Sequence, residues 1–111
     1  MSLRLLRLAA LADKDLFLDF DLQKDAVNRK KHGCGLELAA ELDWQTVIAG
    51  QDQRRDYGEH RLIGYGLLGQ RLFCIVFVVR SNAIRVISLR KANSREVDLY
   101  EKTTTHYATD G

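Results

Sequence analysis

Leu72 to Val79 reads LFCIVFVV, an apolar run with no polar break, and such a run predicts a central β-strand buried on both faces. Before it, His60 to Leu67 alternates Arg61, Ile63, Tyr65 and Leu67 against Leu62, Gly64 and Gly66. This pattern predicts a strand, and its two glycines predict a face closely covered by another element. Leu68-Gly69-Gln70 supplies a hairpin turn between these two runs. Ser81-Asn82 turns the chain again into Ile84 to Leu89, rich in β-branched residues and predicted as a third strand. Asn93 followed three residues later by Glu96 has the spacing of a capping box. It predicts a closing helix with Val97 and Tyr100 one turn apart on its inward side.

The N-terminal half has shorter elements. Phe17 to Phe20 is a brief apolar strand ended by Asp21, a good N-cap, after which Leu22, Ala26 and Val27 separate from Gln23, Lys24, Asp25 and Arg29 with helical spacing. Gly33 is placed to close that helix in the left-handed conformation. Leu36, Ala39 and Ala40 predict a second short helix beyond the hinge Gly33-Cys34-Gly35, and Trp44 to Ile48 is β-prone. Gln51 to Glu59 reads as an exposed loop with a turn at Tyr57-Gly58. A strand, two helices, a three-stranded meander and a final helix make an α+β domain with its helices on one face of an antiparallel sheet. The expected division is an N-terminal extension over 1–16, the domain over 17–102 and a disordered polar tail over 103–111.

Composition narrows the function classes. The chain has 111 residues, enough for one core, and a formal charge of only +2. Nucleic-acid binding must therefore rest on local clusters of charge. Arg29-Lys30-Lys31 forms one cluster, and the segment from Arg80 to Arg95 is free of acids. Either can also be a solvated face. Cys34 and Cys74 lack metal-ligand spacing and read as reduced thiols, Cys74 as a small hydrophobe in its strand. Arg4 and Arg7 interrupt the first apolar stretch, leaving Leu8 to Ala12 too short for a secretory core, and no stretch suits a membrane span. A cytoplasmic protein is the expectation.

No metal motif, phosphate-binding glycine loop or nucleophile elbow is present in the sequence. What remains is a set of cations with one well-placed histidine. Cleaving RNA without metal requires a base for the 2′-hydroxyl, an acid for the leaving oxygen and positive charge beside the phosphate. His32 can serve as acid or base, and Glu59 as a base. Arg61, Arg80, Arg85 and Arg90 offer forked donors to phosphate, Lys31 and Lys91 add point charges, and Tyr65 can stack on a base.

Each of these residues also has a plainer role. His32 at a helix C-terminus can simply complement the helix dipole. Strict alternation puts Arg85 on one strand face and Arg90 with Ser88 on the other, so Arg85 and Arg90 share a groove only if the strand ends or twists between them. Arg85 can instead pair with an acid such as Glu41 or Asp43. Glu96 is explained as a cap, and Trp44 and Tyr100 as core aromatics.

FDLQKDAVNRKKHG at Phe20 to Gly33, the GEHR element at Gly58 to Arg61, an apolar strand ending in Arg80, and IRVISLRKANSREVDLY at Ile84 to Tyr100 resemble the BrnT family of bacterial toxins. The elements occur in the family's order over about Phe20 to Glu101. The resemblance implies a RelE-like fold with a sheet of about four strands, ribonuclease activity that blocks translation and no cofactor. It also implies neutralisation by a BrnA-like DNA-binding antitoxin, with operator DNA reached only through that antitoxin. The family's recurrent positions fall on Lys24, Asn28, Lys31, His32, Gly33, Arg61, Arg80, Arg85, Ser88, Arg90 and Glu96. Phe20 and Leu22 replace the usual tryptophan and proline, Phe77-Val78-Val79 replaces a stretch that commonly carries hydroxyls, and Met1 to Leu16 has no counterpart.

Two functions follow. The first is a metal-independent endoribonuclease toxin, with His32, Arg61, Arg80 and Arg90 as catalytic residues and Lys31, Arg85, Lys91 and Tyr65 as RNA contacts. The second is a non-catalytic RNA- or protein-binding module that retains the toxin fold.

Overall fold

A computed structural model of the chain describes residues 6–7, 17–54, 56, 58–80 and 83–110. Among these residues six strands form one sheet: β1 (Leu6–Arg7), β2 (Phe17–Phe20), β3 (Asp43–Gln51), β4 (Leu62–Leu68), β5 (Arg71–Val79) and β6 (Ala83–Lys91), in the order β1-β3-β4-β5-β6-β2. Helix α1 (Leu22–His32) follows β2, a 3-10 segment spans Leu36–Glu41, and α2 (Ser94–Asp110) closes the chain. The centre is the expected antiparallel meander, but the sheet is wider than the anticipated four strands. β1 pairs antiparallel with β3 through Leu6 and Arg7, which brings part of the N-terminal extension into the sheet. β2 joins the far edge parallel to β6, so the sheet is mixed.

Local signals set the helix ends. The Asp21 carboxylate accepts from the amides of Gln23 and Lys24 at 2.8 and 3.1 Å, and Gly33 closes α1 at φ 73° while its N–H donates to the Arg29 carbonyl. The second predicted helix is the 3-10 segment. Its first amide, Leu36 N–H, donates to Asp25 at 2.7 Å, which together with the Arg29 guanidinium holds the Asp25 carboxyl below its ordinary range. The capping box forms reciprocally, with Glu96 N–H to Asn93 and Asn93 N–H to Glu96 both at 2.9 Å. α2 then runs on to Asp110, through the stretch expected as a disordered tail. No glycine or proline interrupts 103–110, and the Thr103 and Thr104 hydroxyls bond back to carbonyls one turn earlier. The turn expected at Ser81-Asn82 and the residue Tyr57 lie outside the described residues.

One face of the sheet carries the core. Val47 and Ala49 of β3, Phe73, Ile75 and Phe77 of β5, and Ile84, Val86 and Leu89 of β6 pack against Leu36, Ala39 and Leu42. Trp44 meets Phe77 edge to face with centroids 5.5 Å apart, and its indole N–H donates to the Ala39 carbonyl at 3.0 Å. Gly64 and Gly66 are covered as predicted: a Cβ on Gly66 would come within 2.6 Å of the Val47 Cγ2.

The buried positions of β6 are Ile84, Val86 and Leu89, and the step of three between the last two departs from alternation. The cause is a β-bulge. Phe77 pairs with Val86 and Val76 with Ser88, leaving Ile87 as an extra residue.

Candidate active site

The bulge determines which side chains share the outer face. Directly opposed residues of an antiparallel pair point to the same side. Val78 opposes Arg85, Val76 opposes Ser88 and Cys74 opposes Arg90, so Arg85, Ser88 and Arg90 all project from the face opposite the core. Strict alternation had separated Arg85 from Arg90, and the extra residue between them removes that separation. Tyr65 and Ile63 of β4 oppose Cys74 and Val76 and complete the floor.

α1 lies beside this face along the β6 edge. β2 pairs with β6 only as far as Val86, and beyond it the α1 side chain of Asn28 takes over the edge. The buried Asn28 amide donates to the Leu89 and Cys34 carbonyls at 2.8 and 2.9 Å and accepts from Leu89 N–H at 3.1 Å. Between α1 and the sheet lies an open groove of about 690 Å³. Lys24, Lys31 and His32 from α1, Arg54 from the loop after β3, and Ser88 and Arg90 from β6 line it, together with Ile63, Cys74, Val76 and Ile87.

The electrostatics of this groove favour an anion. Partial desolvation, then the charges of Lys31 and Arg90, hold the His32 imidazole below its ordinary pKa. Arg90 is gripped end-on by Glu96, with Nη1 to Oε1 and Nη2 to Oε2 both at 2.8 Å, and its pKa is raised by that pairing. Glu96 is correspondingly depressed to about 2. Burial raises the pKa of the Tyr65 hydroxyl, which donates to Glu96 at 2.9 Å, and also that of the Cys74 thiol beneath Arg90. Asp21, the one carboxylate among the described residues that line the groove, is engaged in capping α1.

Of the residues singled out from sequence, His32, Lys31 and Arg90 meet in the groove. Arg61 precedes β4 and Arg80 follows β5, and both reach Glu59, at 3.4 and 3.7 Å, outside the groove lining. Arg85 shares the groove's face but is paired with an acid, as its alternative role allowed, and that acid is Asp19 at 2.6 Å rather than Glu41 or Asp43. Tyr65 is directed at Glu96, and Lys91 opposes the core residue Phe73, on the side away from Arg90. Arg54 escaped the sequence reading, as it lay in a polar loop with no periodicity. Its guanidinium binds both oxygens of the buried Asp52, at 2.8 and 2.7 Å, which fixes it at the groove. Among the described residues, no three His, Cys, Asp or Glu side chains gather to hold a metal ion.

Comparison with known proteins agrees with this architecture. The crystal structure of the Brucella abortus ribonuclease toxin BrnT superposes with a TM-score of 0.50 at 23% identity, covering 71% of this chain and 99% of that one. At that identity the likeness shows the fold. No curated protein sequence matches the chain. The model of the family described as ribonuclease toxin, BrnT, of type II toxin-antitoxin system matches residues 20–96, from the end of β2 through the glutamate that grips Arg90. That span is more than half of the chain, and the protein therefore belongs to the BrnT family of ribonuclease toxins of type II toxin-antitoxin systems.

Proposed function

We propose that the chain is an endoribonuclease that cuts RNA in the groove between α1 and the sheet by metal-independent acid–base chemistry, and so inhibits translation in the cytoplasm. The observation that carries this reading is the meeting of His32, held below its ordinary pKa, with Lys24, Lys31, Arg54 and Arg90 on one groove. A neutral imidazole can take the 2′-hydroxyl proton at physiological pH. The 2′-oxygen then attacks phosphorus, and the 5′-oxygen leaves with a proton supplied from Lys31 or the returning His32. Arg90 and Arg54, which line the same groove, are suited to balance charge on the phosphate as it builds. Arg85, with Arg61 and Arg80 around Glu59, is suited to the continuing strand. Neutralisation would fall to a BrnA-like antitoxin, through which alone operator DNA is bound.

The test is cleavage of end-labelled RNA in EDTA by the wild type and by folded His32→Ala and Arg90→Ala variants. Cleavage by the wild type that falls at least about 100-fold in both variants supports the reading. RNA left intact by the wild type, both free and on translating ribosomes, overturns it in favour of a binding module on the same fold.

A further inference from the structure

Glu96 accepts more bonds than a helix cap needs. Capping uses one contact, Asn93 N–H to Oε1 at 2.9 Å. Beyond it, Oε1 takes Arg90 Nη1, and Oε2 takes both Arg90 Nη2 at 2.8 Å and the Tyr65 hydroxyl at 2.9 Å. The carboxylate is thus held from three elements: the start of α2, β4 and β6. Arg90 Nη1 also donates to the Lys91 carbonyl at 3.2 Å.

This arrangement occupies the end-on edge of the guanidinium and leaves its side-on edge, Nε–H with the second Nη2 proton, engaged by none of the described residues. Arg90 lines the groove, so the remaining edge is a fork suited to two oxygens of one phosphate. An arginine stem free to rotate would give up side-chain entropy on each encounter with substrate. Resting on the ribonuclease reading above, we propose that Glu96 is the positioning residue of the site, with Tyr65 as its brace. It orients Arg90 so that the side-on edge meets the phosphate in the transition state.

The assignment separates orientation from both charge and capping. Glu96→Gln replaces one of the two gripping oxygens by a donor NH2 and so loses the two-oxygen grip on Nη1 and Nη2, whereas Asn93→Ala removes the other half of the capping box and leaves the Arg90 grip in place. Single-turnover RNA cleavage, with the folded fraction measured for each variant, should show kcat lowered roughly tenfold or more by Glu96→Gln and KM within about twofold of wild type. Asn93→Ala should keep the wild-type kcat per folded molecule. In an Arg90→Lys background, which has no fork to orient, adding Glu96→Gln should change kcat by less than about twofold. Equal kcat losses per folded molecule in Glu96→Gln and Asn93→Ala would reduce Glu96 to a cap, and full additivity with Arg90→Lys would overturn the positioning role. A wild type that cuts RNA while Glu96→Gln keeps its kcat removes this inference alone. A wild type that leaves RNA intact removes the ribonuclease reading and this inference with it.

Discussion

The side-chain amide of Asn28 bonds both backbone groups of Leu89, donating to its carbonyl at 2.8 Å and accepting from its N–H at 3.1 Å. One helical side chain does there what a further residue of β2 would otherwise do, and it fixes α1 beside the groove. Asn28→Ala would leave the Leu89 and Cys34 groups without these bonds, at a cost of about 3 kcal/mol. Urea unfolding should show the loss as a lower midpoint with an unchanged slope.

His32 should titrate below its unfolded value of 6.5. Because the folded state favours the neutral ring, the unfolded chain binds the extra proton first as pH falls. The contribution of this group to stability is therefore full above about pH 6.5 and declines from there down to the folded pKa. NMR titration of the imidazole should give the lowered midpoint, and Arg90→Ala should move it upward, since Arg90 is one of its causes.

Glu96, depressed to about 2 from an ordinary 4.5, has the corresponding carboxylate behaviour. Its stabilisation is complete above about pH 4.5 and is lost as pH falls towards 2. In Arg90→Met, which lacks the largest cause of the depression, the acid transition should begin at higher pH.

Gly66→Ala should destabilise the fold by about 1–3 kcal/mol, since the new Cβ would press on Val47, which is fully buried. Adding Val47→Ala should recover part of the loss. Thermal unfolding of the single and double variants distinguishes this overlap from a general intolerance of alanine at the site.

Lys31 is exposed at the groove and suited to hold one phosphate. In Lys31→Ala, RNA affinity should fall, and the slope of log affinity against log salt should become shallower by about 0.7. Fluorescence titration of a short labelled RNA across a salt series measures both, and an unchanged slope would place Lys31 outside the contact.

Much of the fold was legible because its signals are local. Asp21 and Gly33 bound α1, the Asn93–Glu96 spacing bounds α2, and the apolar run of β5 is the sheet's central buried strand. The non-local features were not legible. Phe17–Phe20 was legible as a strand, but its parallel pairing with β6 and the two-residue β1 depend on contacts between distant segments that no local period shows. His32, Lys31 and Arg90 were identifiable by residue type and by resemblance to the family. The carboxylate that holds Arg85 was not: Asp19 lies 66 residues away, and no spacing rule reaches that far. Arg54 had no sequence signal beyond its charge.

The extra residue Ile87 puts β6 out of phase with itself. Two registers of inside and outside meet within one strand, the first carrying Arg85 and the second Ser88 and Arg90. Ile87 contributes no charge, proton or hydrogen-bonding side chain, yet without it one of the two arginines would be directed into the hydrocarbon interior. The polarity of the groove is therefore a property of chain length at one position as much as of residue type. Two relatives with identical arginines and a strand differing by a single residue there would expose different chemistry.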